Sequence, residues 1–232
     1  MKIQQTLYLA VWMVSAVPPA NGQVGDAQPL ATEDAPTTPS AVPPPPTSAQ
    51  RLQRAHELTE AGQVADAVAA MDALVHDGGL DPGALRDAWL QKAHALARID
   101  DAQGAQDGFS AALHIDPAHR VADFADEVAF RAYNAALAGL PPAKAIFQTH
   151  IGPWEQKDGQ NNLDVRLLQN KPALVSKVLL VDALGHVQAQ CAFAGTSPCA
   201  LSVPVDPGVD IYLQAFHVDL VDAWNNKLRE IP

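Results

Sequence analysis

Eight histidines, two cysteines and 26 acidic side chains are the groups in this 232-residue chain from which a metal site or a nucleophile could be built. The densest histidine cluster, His114-x-Asp116-x2-His119, straddles Pro117, where a helix is expected to end. An imidazole there satisfies terminal carbonyls and the negative end of the helix dipole, so the cluster reads as a helix stop rather than a metal site. The zinc grammar is missing: there is no H-E-x-x-H, no H-x-H and no cysteine near a histidine at ligand spacing. Ser176, Ser197 and Ser202 lie in predicted strands or turns without a G-x-S-x-G context. Neither Asp100-Asp101 nor Lys157-Asp158-Gly159 supplies the D-x-D-x-D-G run of a calcium loop, and no Gly-rich phosphate loop is present. Asp100-Asp101 instead sits where a carboxylate favours the start of the next helix. The sequence therefore assigns no catalytic residue, no metal ligand and no cofactor, and a non-enzymatic protein is expected.

Cys191 and Cys199 are the two cysteines. A metal pair would need further ligands at closer spacing, and a redox couple usually reads C-x-x-C. A structural disulfide closing a short loop is expected, which fits an oxidising compartment.

The elements that must carry these residues follow from composition and periodicity. Met1-Lys2, the apolar stretch Leu7–Val17 and the break at Pro18-Pro19 read as an export signal over residues 1–22, with Ala20 and Gly22 at the cleavage motif. The apolar run of about eleven residues is well short of the ~20 that span a bilayer, so no membrane span is expected after signal removal. The alternative is an N-terminal membrane anchor. A periplasmic or secreted protein is expected. Residues 23–49 are rich in Pro, Ala, Thr and Ser and end in Pro43–Pro46, a composition with little apolar surface to bury. They read as a disordered, semi-stiff linker. Without Lys2 the balance is 14 basic against 26 acidic side chains, a formal charge of −12, and no Lys/Arg cluster occurs. Nucleic acid and anionic lipid are therefore excluded as expected partners.

From Ala49 the period is helical: Leu52, Ala55 and Leu58, then Val64, Ala67, Val68, Met71, Leu74 and Val75, with Gly62 and Asp77-Gly78-Gly79 as punctuation. A second pair follows as Trp89-x2-Lys92-Ala93-x2-Leu96, Ala105-x3-Phe109, Ala112 and Pro117. This spacing resembles a tetratricopeptide (TPR) repeat, and residues 49–77 resemble a degenerate first unit without the leading Trp. Small residues at Ala93 and Ala105 let paired helices approach, while Trp89 and Phe109 fill the space between them. A helix over Val121–Leu137 is expected to cover the second unit, followed by a short helix at Ala143–Gln148. The resemblance implies a protein partner held in a groove. In the TPR register that groove is lined by Leu52, His56 and Glu60 from the first unit and Leu90, His94 and Arg98 from the second, with His56 and His94 equivalent. Apolar anchors and a few charged contacts are expected to hold the partner.

Beyond His150 the period becomes two, with strands expected around Val165–Leu167, Val175–Val181, Val187–Phe193, Leu201–Val205, Ile211–His217 and Lys227–Ile231. Short strands at regular spacing predict a small antiparallel sandwich of immunoglobulin-like type. The Asp219/Asp222…Asn225 stretch is similar to the endings of bacterial immunoglobulin-like domains. The order of helical repeat, linker helix and β-sandwich resembles exported proteins of myxobacteria and their relatives. The fold class is thus α+β in two domains, TPR-like over 50–147 and immunoglobulin-like over 148–232. The leading functional expectation is an exported adaptor or scaffold. The rival is a carbohydrate-binding or hydrolytic envelope protein using loops at one end of the sandwich, with Trp154, Trp224 and Tyr212 available to stack on sugars.

Overall fold

Thr47 opens the helical half. Its hydroxyl accepts from Gln50 N at 3.3 Å, while the Gln50 side chain accepts from Thr47 N at 2.8 Å. This reciprocal pair satisfies two of the donors that a helix start leaves bare. A computed structural model of the chain describes residues 44–122, 124, 126–170, 173–193, 197–206, 208, 211 and 215–232. The expected export signal, the linker up to residue 43 and Tyr212 lie outside these residues.

Five helices follow: α1 Ser48–Glu60, α2 Val64–Asp77, α3 Pro82–Ala97, α4 Ala102–Ile115 and α5 Glu127–Ala138. Asp81 caps α3, accepting from Gly83 N at 2.8 Å and Ala84 N at 3.0 Å, with Pro82 in the first turn where no donor is missed. Asp101 caps α4 through Gly104 N at 2.9 Å, the role expected of the paired aspartates. His114 Nδ1 lies 2.7 Å from Ser110 O, so that imidazole serves the last turn of α4.

Helix contact depends on small residues. Ala93 of α3 and Ala105 of α4 are fully buried, and a Cβ added to Gly108 would stand 2.9 Å from Ala93 Cβ. The backbones therefore meet as closely there as side chains permit. Phe109 fills the space beside that contact, edge-on to Tyr133 of α5 with centroids 5.5 Å apart. In this way α5 closes the open side of the α3–α4 pair. A single 3-10 turn at Ala143–Ala145 stands where a longer helix was expected.

Among the described residues seven strands make two antiparallel sheets, so the class is α+β. They are β1 Thr149–Lys157, β2 Gln160–Leu167, β3 Lys177–Asp182, β4 Val187–Ala192, β5 Cys199–Pro204, β6 Phe216–Val221 and β7 Lys227–Ile231. One sheet runs β1-β2-β5 and the other β4-β3-β6-β7. The alternation is clearest in β5, where Cys199, Leu201 and Val203 point inward and their neighbours outward. β1 was not anticipated as a strand. Its sequence contains Pro153, and its pairing with β2 shifts register between Ile151 and Trp154, so no clean period of two survives. The hairpin closes through Asp158 and Gly159, both at positive φ (53° and 73°), a tight turn rather than a calcium loop. Of the expected strand at Ile211–His217, residues 212–214 lie outside the described region, and its last two residues open the strand Phe216–Val221.

One of three apolar clusters among the described residues connects these parts. Leu74, Val75, Leu80 and Leu85 from the helical half pack with Val165 and Leu201 of one sheet and Val178, Leu180 and Leu220 of the other. The seam is also polar. Asn226, fully buried, accepts from Leu80 N at 3.0 Å and donates to Val75 O and to Asp222 Oδ2, both at 2.8 Å. Beside it Trp224 stacks on His76, centroids 4.4 Å apart.

Cys191 and Cys199 are bonded, joining β4 of one sheet to β5 of the other. Replacing both cysteines by serine is expected to cost about 2–3 kcal/mol, the loop-entropy value for so short a ring. Urea unfolding of the oxidised chain against the double variant measures it, and coincident midpoints would rule out a stabilising role. Among the described residues no helix is long and apolar enough to cross a membrane.

Candidate functional site

α1 and α3 lie side by side, and the first residue before α5 reaches the cleft between them. His56, Thr59 and Glu60 repeat at three and four residues and so share one face of α1. Gln91 and His94 do the same on α3, with Arg98 at its C-cap. Together with Asp126, the N-cap of α5, they line a cleft of about 230 Å³.

Arg98 fixes the geometry. Its guanidinium donates to Thr59 O at 2.9 Å and to Glu60 Oε1 at 2.5 Å, which ties the end of α3 to the end of α1. The Thr59 hydroxyl is spent on Ala55 O at 3.0 Å. His94 sits edge-on to Phe109 at 5.1 Å and tilted against Phe124 at 5.8 Å. Burial pushes its imidazole below the ordinary value and the Arg98 charge adds to that, with Asp126 pulling the other way. The ring is therefore neutral at neutral pH. Gln91 Oε1 is shielded from solvent and has no hydrogen-bond partner among the described residues. With the Arg98 cation already engaged, the cleft offers mainly acceptors: the Glu60 and Asp126 carboxylates, and Gln91 Oε1 once that side chain turns toward a ligand. It suits a ligand that donates.

Of the six groove residues expected from the repeat register, His56, Glu60, His94 and Arg98 come together here. Leu52 and Leu90 do not line the cleft. Leu52 packs against the main core and Leu90 against the cluster around Phe109. The expected leucine anchors thus pack elsewhere, and the cleft is lined by polar and charged residues that turn both carbon and polar atoms toward it. Thr59, Gln91 and Asp126 were not anticipated. The first two stand three residues from His56 and His94 on the same helical faces, a signal that was present in the sequence. Asp126 depends on where α5 starts.

Of the aromatic residues considered for sugar stacking, the two that are described have different ring partners. Trp224 stacks on His76 yet stays 40% exposed, and Trp154 packs tilted against Phe216, centroids 5.8 Å apart. Tyr212 lies outside the described residues.

A second constellation lies on the four-stranded sheet. His217 and Asp219 alternate on β6, and Glu230 on β7 is paired with Asp219 in register. Lys227 Nζ bonds Asp219 Oδ2 at 2.9 Å and Glu230 Oε2 at 3.0 Å. Burial alone would lower the Lys227 pKa, but those two carboxylates outweigh it and hold the ammonium above its ordinary value. The hydrogen bond from Lys227 in turn holds the Glu230 carboxyl below its own.

No protein-family model, curated protein or solved structure matches the chain.

Proposed function

We propose that this chain is a non-enzymatic exported adaptor. A short TPR-like helical module holds a segment of another protein in the α1–α3 cleft, and an immunoglobulin-like pair of sheets forms the body on which that module is mounted. One observation carries the reading: His56, Glu60, His94 and Arg98, equivalent by repeat register, line one cleft together with a shielded Gln91 oxygen that lacks a partner. An unmet acceptor away from solvent is costly, and a ligand that donates to it removes that cost. The partner segment therefore presents an amide or a cationic side chain, in keeping with a formal charge of −11 on the chain. A periplasmic or secreted location is supported by the Cys191–Cys199 bond, since such bridges persist in oxidising compartments.

The shared core makes deletion of residues 50–146 a poor test, because the sheets would lose part of their packing. Point changes serve better. With a photo-crosslinker placed at His56 on the exposed rim, the full chain is expected to form a defined adduct in the cell envelope. Gln91→Leu and Glu60→Lys are each expected to reduce its yield about tenfold, the scale of one hydrogen bond to a charged group. Glu155→Lys, exposed on β1, should leave the yield unchanged. Equal adducts from all four proteins would exclude the cleft as the binding site.

A further inference from the structure

We infer that His217, Asp219 and Glu230 form a site for a divalent transition-metal ion of the zinc type, bridging β6 and β7. Each offers one ligand atom, and these atoms all lie within 4.8 Å of one another. His217 Nε2 stands 3.7 Å from Asp219 Oδ1 and 3.9 Å from Glu230 Oε2. Zinc bonds of about 2.0–2.2 Å in a tetrahedron put neighbouring ligands about 3.3–3.6 Å apart. These two spacings close to that range by a few tenths of an ångström, while Glu230 Oε2, now bonded to Lys227, must also turn toward Asp219 Oδ1.

The observation that separates this site from an ordinary surface ion pair is Asp219 Oδ1. Asp219 is only 5% exposed, and this oxygen has no hydrogen-bond partner among the described residues. It faces His217 Nε2 at a distance too long for a hydrogen bond. Lys227 engages the other Asp219 oxygen, so two carboxylates share one ammonium and a negative charge is left over. Lys177, on the neighbouring strand β3, is drawn away onto Asn225 Oδ1 at 2.8 Å and does not supply it. An imidazole and two carboxylates form the borderline N/O set that suits zinc or nickel. Three protein ligands leave a fourth position for water. Lys227 sets the affinity: its charge beside the ion opposes binding, so a site weaker than that of a closed structural zinc centre is expected.

Calorimetric titration of the oxidised full chain with ZnCl2, after chelator treatment, tests the inference. One equivalent is expected to bind in the micromolar range and to raise Tm. His217→Ala and Glu230→Gln should each weaken binding at least tenfold, and His150→Ala should not. Lys227→Met should tighten it about tenfold, because removing a competing cation favours the metal and nothing else in the cluster. No saturable binding by either the wild-type chain or K227M would overturn the site. So would binding that H217A and E230Q leave unchanged. Circular dichroism on each variant identifies any that do not fold, and Lys227→Met provides a gain rather than a loss.

Discussion

Asn226→Ala is expected to cost about 3–5 kcal/mol of unfolding free energy, from three hydrogen bonds lost in a dry site. Leu80 N–H and one Asp222 oxygen lose their bond to the Asn226 side chain when it is removed, and Val75 C=O loses one of two, keeping that from Gly78 N at 3.2 Å. The first two are left shielded from water, where an unmet donor or acceptor costs about 1–3 kcal/mol. A domain of this size is stable by about 5–15 kcal/mol, so the change approaches the whole margin. Asn226→Asp supplies a control with the same shape. It keeps the acceptor for Leu80 but sets a carboxylate against Val75 O and Asp222, so it should be at least as destabilising as alanine. Urea unfolding followed by tryptophan fluorescence measures both. A loss below about 1 kcal/mol for alanine would mean that water takes over these bonds and that Asn226 is not the lock at the seam.

The second large effect is at Phe109. Phe109→Ala is expected to cost about 3–5 kcal/mol, the range for emptying an aromatic site in a packed core. The ring is fully buried and touches three others: His94 at 5.1 Å, Tyr133 at 5.5 Å and Phe124 at 6.2 Å. Its loss therefore loosens α5 and also frees the His94 ring that faces the cleft. Phe109→Leu should recover more than half of the stability but not the edge-on contact to His94. If leucine restores stability and the crosslinking yield alike, the aromatic edge has no part in positioning His94. Denaturant unfolding and the His56 crosslink read the two effects separately.

The helical half was largely legible in the sequence because its core depends on side-chain size at fixed intervals. Ala67, Met71, Ala93, Ala105 and Phe109 are all buried, as the spacing required. Periodicity locates a face, however, and does not say what the face meets. Leu52 and Leu90 share the groove faces by register, yet their side chains reach neighbouring apolar clusters and leave the polar residues in the cleft. Sheet register was least legible. β1 hides behind Pro153 and a shift in pairing, and β6 begins where the expected strand ends. The His217, Asp219 and Glu230 cluster shows why this matters: the first two alternate on one strand, but Glu230 reaches them only through β6–β7 pairing. The cysteine spacing pointed to a bond. That the bond ties two different sheets follows from strand order, which no local pattern encodes.

The seam between helices and sheets also bears on inheritance. The sequence changes character near residue 148, the place where a shuffling event would be expected to cut. Yet Leu80 and Asn226 sit on opposite sides of that point and complete each other. A recombinant that received only the helical half would carry a bare amide and a bare carbonyl at Leu80, and a graft of the sheets alone would expose Leu180 and Leu220 neighbours that the α2–α3 corner now covers. Descent should therefore transmit the two halves together, so that substitutions at the corner on one side are answered by substitutions at the turn before β7 on the other.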